Sequence, residues 1–159
     1  MKKLRFLLSI SLITMSFLFA GKSFSQLKSY KFEQIDSLQI IQKRNIVVFI
    51  YTDWCKFCAA MKNTTLRNKA IVATLNNSFY FIDLNAEEKR AIVFNGKKYS
   101  FKPTGYQTGI HELATALGTV KGSISYPTLC ILNKNNEIVF HYNSFLNANY
   151  FLSILQQYF

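Results

Sequence analysis

The feature that most constrains this fold is an unbroken apolar run at residues 46–51, with the sequence IVVFIY. β-Branched and aromatic residues of this kind favour extended strands. Because successive side chains of a strand point to opposite faces, a strand without polar positions has to be covered on both faces. The run therefore predicts the central strand of an α/β domain whose sheet carries helices on both sides.

A pair of cysteines follows this strand directly, in the stretch TDWCKFCAAM at residues 52–61. The pattern becomes helical at Cys55, and the first turn of a helix stabilises a thiolate through unpaired N–H groups and a partial positive charge. Lys56 adds a formal positive charge next to Cys55. Cys58 lies nearly one turn further into the helix, where it is less exposed but can form a disulfide with Cys55. Because the thiolate is the nucleophile of disulfide exchange, the motif predicts one attacking and one resolving cysteine.

The first 25 residues have the layout of a secretory signal peptide. A basic head, Met1–Arg5, precedes an apolar run, Phe6–Ala20, and a short stretch of small and polar residues. The apolar run is shorter than the roughly 20 residues that a membrane span needs. We predict cleavage before Gln26, export to the periplasm, and no stable membrane span after cleavage. Secretion and an uncleaved anchor are the alternatives.

Composition and charge narrow the possible partners. Half of the 159 residues are hydrophobic and 17% are charged, which favours one globular domain over disorder. The net charge is +11, and four of the positive charges lie in the predicted signal peptide. The remaining Lys and Arg residues are scattered rather than gathered in a stripe, so no nucleic-acid partner is predicted.

The rest of the chain alternates helical and strand patterns. Helices are predicted at 31–44, 55–61, 68–75, 110–117 and 147–159, and strands at 46–51, 79–84, 125–132 and 138–142. The helical segment between the first two strands suits a parallel βαβ unit, and the short loop before residue 138 makes the last two strands antiparallel. Asn95-Gly96 between apolar runs predicts a β-hairpin at 91–101. The expected fold class is α/β, with a central mixed sheet of four or five strands.

The cysteine motif and the order of the predicted elements resemble the thioredoxin superfamily. The resemblance covers residues 32–159 and is carried by Trp54-Cys55-Lys56-Phe57-Cys58 after a buried strand, Tyr126-Pro127-Thr128 before a later strand, and a β-β-α ending. The sequence is similar above all to exported bacterial thioredoxin-like proteins. Its Tyr-Pro-Thr-Leu run is also similar to that of protein disulfide isomerases. The resemblance implies a thioredoxin-like domain at 26–159 after a signal peptide at 1–25.

The resemblance also implies roles for particular residues. Cys55 would be the attacking thiol and Cys58 the resolving thiol, with Trp54 packed beside them. The Tyr126–Pro127 bond would be cis and face the cysteine pair, and its loop would pair with an extended substrate. On this basis Trp54, Tyr126 and Pro127 are the expected substrate contacts, and neither a cofactor nor a metal is required.

The sequence departs from cytosolic thioredoxins at two places. Lys56-Phe57 stands between the cysteines where those proteins carry Gly-Pro. Phe49 stands six positions before Cys55, where they carry a buried Asp thought to relay a proton to the resolving thiol. Asp53 is nearer in sequence but falls in the turn. These differences leave the redox potential and the direction of electron flow open.

Other readings of the same residues stay open. The alternatives for the cysteine pair are a structural disulfide, a silent thiol pair, or half of a zinc site, for which only Cys130, His111 and His141 remain, in separate elements. Cys130 is expected to be a buried apolar side chain. The hairpin at 91–101 is expected either to shape partner recognition or to cap a sheet edge.

Two functions follow from these observations. The first is a thiol–disulfide oxidoreductase that acts on protein thiols and disulfides through Cys55 and Cys58 and exchanges electrons with a redox partner protein. The second is a non-catalytic thioredoxin-fold binding module that docks partners on the Tyr126-Pro127 loop and the hairpin.

Overall fold

The computed structural model describes residues 26–159. The predicted signal peptide, 1–25, lies outside the described residues. The helices are α1 (Phe32–Ile41), α2 (Lys56–Asn63), α3 (Lys69–Ser78), α4 (Glu112–Gly118) and α5 (Ala148–Leu155). The strands are β1 (Asn45–Tyr51), β2 (Phe79–Asn85), β3 (Ile92–Phe94), β4 (Lys97–Tyr99), β5 (Phe101–Gly105), β6 (Thr108–His111), β7 (Thr128–Leu132) and β8 (Ile138–Tyr142). Within this part of the chain, no helix has the length and apolar character needed to cross a membrane.

Four strands form the central mixed sheet in the order β2-β1-β7-β8. β1 and β2 run parallel, with Asn45 opposite Phe79 and Tyr51 opposite Asn85. β7 is antiparallel to β1, and β8 is antiparallel to β7. The predicted α/β class, the mixed sheet and the parallel βαβ unit are therefore confirmed.

Strand β1 lies in the middle of the core, as its apolar sequence predicts. Ile46, Val48 and Ile50 face one apolar cluster, which also contains residues of α1 and α4. Val47 and Phe49 face a second cluster, which contains residues of α2, α3 and α5. All five side chains are fully buried, so helices on both faces cover a strand with no polar position.

The helical segment after the cysteines is broken where the sequence places Asn and Thr. Residues Thr65–Arg67 form a single 3-10 turn between α2 and α3. The side chain of Asn68 then caps α3 by accepting the N–H groups of Ala70 and Ile71. The buried Thr65 hydroxyl donates to the carbonyl of Leu146 at 2.6 Å, which joins this break to the segment that leads into α5.

The predicted hairpin insertion is present, and a second hairpin follows it. β3 and β4 pair around Asn95-Gly96, whose φ angles of 52° and 68° match the left-handed turn expected from this dipeptide. β5 and β6 form the additional two-stranded sheet. The predicted start of the next helix, at Ile110, is wrong. Residues 108–111 form a strand that pairs with β5, and α4 begins at Glu112.

Close packing in the second hairpin depends on Gly109. A Cβ atom at this position would lie 2.4 Å from the carbonyl oxygen of Lys102 and 2.4 Å from the ring of Phe101. The hairpin therefore requires a residue without a side chain here.

The two ends of the whole insertion are held together. The N–H of His111, after the insertion, donates to the carbonyl of Ala86, before it, at 2.7 Å. Ala86 in turn donates its N–H to Tyr51 at the end of β1, also at 2.7 Å. Residues 87–110 therefore leave the sheet and return to it at one point.

Candidate thiol–disulfide site

The site is built at the first turn of α2, where the cysteine pair is closed as a disulfide. Cys55 is the N-cap residue, and its sulfur accepts the backbone N–H of Cys58 at 3.1 Å. The two Cα atoms are 5.2 Å apart, within the range for a disulfide. An N–H group aimed at the Cys55 sulfur from a helix N-terminus stabilises negative charge on that sulfur after reduction.

Both cysteines of the disulfide are buried, whereas two aromatic residues beside them in the sequence are exposed. Cys55 is 6% exposed and Cys58 is 1% exposed, whereas Trp54 and Phe57 are each 68% exposed. Cys55 is thus the more accessible cysteine, although both are buried. Exposed aromatic rings around a reactive group give a partner protein apolar surface to bury.

The structure brings Trp54, Tyr126 and Pro127 to the same end of the sheet as the cysteines. The Tyr126–Pro127 bond is cis, as the resemblance implies, and Pro127 is buried. The Tyr126 ring packs edge-on against Trp54 with ring centres 6.0 Å apart, and it also contacts the apolar cluster that contains both cysteines. The roles of these residues toward a substrate stay predictions.

The strand after the prolyl loop starts later than predicted. β7 begins at Thr128 rather than near Ser125, because Pro127 has no N–H to donate to a sheet. The Thr128 hydroxyl instead donates to the carbonyl of Ser125 at 2.6 Å. This contact fixes the loop just before β7 pairs with Ile50 of β1.

Sequence reasoning missed a groove next to the cysteine pair. The groove has a volume of about 350 Å³, and its lining includes Thr52 and Trp54 from the motif, Tyr126 from the prolyl loop and Glu87 from the start of the insertion. The second hairpin closes it with residues of β5 and β6. The Trp54 ring nitrogen donates to Glu87 Oε1 at 3.2 Å.

The interior next to α2 is apolar at Phe49, one of the positions where the sequence departs from cytosolic thioredoxins. Phe49 is fully buried and stacks with Tyr51 at a ring distance of 5.9 Å. Lys62 lies over the Tyr51 ring with its Nζ 3.0 Å from the ring centre. Burial lowers the pKa of Lys62, and the carboxylates of Asp83 and Asp53 act in the opposite direction. Asp53 lies exposed in the turn and accepts the Asn85 side-chain amide at 2.9 Å.

His111 has a structural role. Its ring is fully buried, and Nδ1 accepts the N–H of Leu113 at 3.2 Å to cap α4. Its Nε2 lies 3.1 Å from the carbonyl oxygen of Arg90, and because a carbonyl oxygen accepts, Nε2 donates in this contact. Residues 26–159 bring together no group of three His, Cys, Asp or Glu side chains that could hold a metal ion.

Cys130 lies in the middle of β7, fully buried and not part of a disulfide. Burial raises the pKa of its thiol to about 12. The placement agrees with its expected role as a buried apolar side chain.

This pKa predicts a loss of stability at alkaline pH. The thiol ionises near 9.0 when exposed and near 12 when folded, so between these values the unfolded chain binds fewer protons than the folded chain. The free energy of unfolding then falls as pH rises, by up to about 1.4 kcal/mol per pH unit, and the contribution of the thiol to this slope becomes small below about pH 8. Urea unfolding at pH 8.5 and 10.5 is expected to show a larger loss for the wild type than for Cys130→Ala. Equal losses would contradict a buried, protonated thiol.

Comparisons with known proteins agree with this fold. A DsbH oxidoreductase structure is similar over 86% of this chain and 87% of its own length, with 12% identity and a TM-score of 0.58. A thioredoxin from Thermus thermophilus is similar over 84% of this chain and 87% of its own, with 18% identity and a TM-score of 0.58. A disulphide isomerase from Xylella fastidiosa Temecula1 is similar over 84% of this chain and 94% of its own length, with 11% identity and a TM-score of 0.52. At these identities the similarity shows a shared fold.

A comparison of the sequence with family profiles shows which family the chain belongs to. A search of curated proteins finds no match. The family profile described as a thioredoxin-like domain (Thioredoxin_2), however, matches residues 32–159. That range contains the disulfide, the prolyl loop and all strands of the central sheet. The chain therefore belongs to the thioredoxin-like domain family.

Proposed function

We propose that this protein is a thiol–disulfide oxidoreductase that acts on protein disulfides, with Cys55 as the attacking thiol and Cys58 as the resolving thiol. One observation carries the proposal above the others. The Cys55 sulfur caps the helix, accepts the Cys58 N–H at 3.1 Å and is closed in a disulfide with Cys58. This arrangement supplies both a stabilised thiolate and an internal partner for it.

The exchange proceeds in two displacement steps. In the reduced protein, the Cys55 thiolate attacks one sulfur of a partner disulfide, forms a mixed disulfide and releases the other partner sulfur as a thiolate, which takes up a proton. The Cys58 thiol then loses its proton and attacks the Cys55 sulfur. The partner leaves with two thiols, and the protein keeps the Cys55–Cys58 disulfide. Two electrons pass to the partner, and the reverse sequence oxidises it.

The surroundings divide these roles between the cysteines. Cys55 is 6% exposed and has the exposed Trp54 and Phe57 near it in the sequence, whereas Cys58 is 1% exposed within the first turn of α2. A partner sulfur therefore reaches Cys55 first. The buried position of Cys58 confines its reaction to the neighbouring Cys55 sulfur.

We also propose an exported location, with protein thiols and disulfides as partners. The amino-terminal sequence pattern supports export, and disulfides persist outside the cytosol. The similar structures include an oxidoreductase and a disulphide isomerase. We place the protein in the periplasm, with secretion from the cell as the alternative.

Reduction of insulin disulfides in the presence of dithiothreitol tests the activity, and equilibration with glutathione gives the potential of the pair. Wild-type protein is expected to accelerate insulin reduction well above dithiothreitol alone. A reduction potential of about −270 mV would indicate a reductase, and one of about −120 mV would indicate an oxidant. A rate equal to that of dithiothreitol alone would contradict the proposal and favour the non-catalytic binding module.

A further inference from the structure

We propose that the groove beside the disulfide binds an arginine or lysine side chain next to the reactive cysteine of the substrate, and so selects cationic polypeptide segments. This inference rests on the proposed disulfide exchange, because it specifies which substrates that exchange prefers. The groove is lined by residues from both sides of the site: Thr52 and Trp54 from the motif, and Tyr126 immediately before Pro127. A side chain adjacent to a cysteine bound at Cys55 is within reach of this space.

The charge of the lining favours a cation. Glu87 is the one charged residue among the residues that line the groove, and no Lys or Arg is among them. This contrasts with the whole chain, in which 19 Lys and Arg residues outnumber 8 Asp and Glu residues. Glu87 forms no ion pair among residues 26–159, and its Oε1 accepts the Trp54 ring N–H at 3.2 Å. A guanidinium or ammonium group would supply the missing counter-charge.

Two basic residues of the insertion make other contacts. Lys102 Nζ lies 3.2 Å from Glu112 Oε1. Lys89 Nζ lies 3.4 Å from the centre of the Phe101 ring. Neither contact involves Glu87, and no Lys or Arg within residues 26–159 forms an ion pair with it, so the carboxylate is able to pair with an incoming cation.

Two residues that line the groove carry buried hydroxyl groups that lack hydrogen-bond partners in the described part of the chain. Thr52 is 2% exposed and its Oγ1 is unsatisfied, and the buried hydroxyl of Tyr126 is also unsatisfied. A buried polar atom without a partner is costly, so such atoms indicate where a ligand's polar groups bind. Both oxygens can accept N–H donors, of which a guanidinium group carries five.

The aromatic walls complete the match to a cation. Trp54 and Tyr126 present rings at the groove, packed edge-on to each other. Aromatic faces attract guanidinium and ammonium groups and also cover the aliphatic part of these long side chains. The combination of rings, hydroxyl oxygens and one carboxylate thus suits Arg and Lys better than a neutral or acidic side chain.

A binding measurement tests the groove without any redox chemistry. Trp54 is the chain's single tryptophan, so its fluorescence reports binding in a Cys55→Ser/Cys58→Ser variant. Two peptides are titrated that carry Ser in place of the reactive cysteine, with either arginine or its neutral analogue citrulline beside it. The arginine peptide is expected to bind roughly fivefold more tightly. This preference is expected to fall to near parity in the same variant carrying Glu87→Gln.

Glu137→Gln in the same background is the matched control. Glu137 lies in the turn between β7 and β8, and like Glu87 its carboxylate accepts one side-chain N–H, from Asn133 at 2.7 Å. The control is expected to keep the full preference for arginine. Equal binding of the two peptides, no binding of either, or a preference that survives Glu87→Gln would overturn the inference.

A kinetic measurement separates this inference from the proposed function. Wild-type reduced protein is mixed with cysteine-containing versions of the peptides, each blocked as a mixed disulfide with glutathione. Faster exchange with the arginine peptide supports both proposals. Equal, measurable exchange with both peptides overturns the selectivity and leaves the oxidoreductase function intact. No exchange with either, combined with selective binding in the first experiment, overturns the function and leaves the groove intact.

Discussion

Replacing Cys55 with serine is expected to lower the rate of disulfide exchange by on the order of a thousandfold or more, because the nucleophile of the proposed first step is removed. A serine hydroxyl does not ionise near neutral pH and forms no disulfide with the partner. The rate of insulin reduction, compared between variant and wild type, measures this loss. The variant is expected to fold, because Ser is a good helix-capping residue at the position that Cys55 occupies.

The matching change at Cys58 distinguishes the two roles. Cys58→Ser keeps the attacking thiol but removes the resolving thiol, so the mixed disulfide with the partner is expected to accumulate and to be visible on a non-reducing gel. Cys130→Ala is the control for loss of a cysteine outside the site, and it is expected to exchange at the wild-type rate, since Cys130 lies buried in β7. Accumulation of the mixed disulfide in Cys55→Ser instead would reverse the assignment.

Replacing Phe49 with aspartate is expected to reduce the free energy of unfolding by roughly 4 kcal/mol or more. Phe49 is fully buried in the apolar cluster that contains Cys55, Cys58 and Met61. The change removes a large ring from this cluster and places a carboxyl group among apolar neighbours. Urea unfolding of the oxidised proteins is expected to show a lower midpoint with an unchanged slope.

Phe49→Leu is the matched control, since it keeps an apolar side chain of similar reach and is expected to cost about 1 kcal/mol. The aspartate variant also tests whether the interior of this protein tolerates the buried acid that cytosolic thioredoxins carry at this position. Lys62 Nζ lies 5.9 Å from the Phe49 ring centre. Near wild-type stability of Phe49→Asp would mean that Lys62 neutralises the new carboxylate and that the interior already accommodates an acid.

Several parts of the fold could be predicted because their signals are local and strong. The apolar run at 46–51 has no polar position, so a strand buried on both faces was the one arrangement that suited it. Asn95-Gly96 is a dipeptide whose backbone preferences match a tight hairpin turn. The helix start at Cys55 followed from the change of pattern after that strand. In each case neighbouring residues decide the conformation.

The second hairpin could not be predicted, because its stability does not come from its own sequence pattern. Most of β5 is exposed, and Pro103, a residue that disfavours strands, lies in its middle. The strands form because Gly109 permits close approach to Lys102 and Phe101, and because His111 is held at the base. These contacts join residues from separate elements, so periodicity does not reveal them.

The candidate site also combines features that the local sequence predicts with features that depend on contacts between distant elements. The cysteine pair and the Tyr126-Pro127 loop were predictable, because a motif and a resemblance mark them. Glu87, Thr52 and the groove that they share with the second hairpin were missed. No sequence signal joins these residues to the motif, since they meet only once the insertion folds back over the end of the sheet.

The way the insertion is tied to the sheet has a consequence for how such a protein can diversify. Residues 87–110 depart and return at Ala86 and His111, which are joined by one hydrogen bond. Ile92 and Phe94 of the first hairpin are buried in the core, but the exposed residues of the insertion are free to vary without displacing the sulfur atoms at the start of α2. Under the proposed function, the sulfur atoms that exchange electrons lie at the start of α2, whereas Glu87 at the groove lies in the insertion. A change of residue in the insertion could therefore alter the proposed preference for a client while the cysteine pair is inherited unchanged.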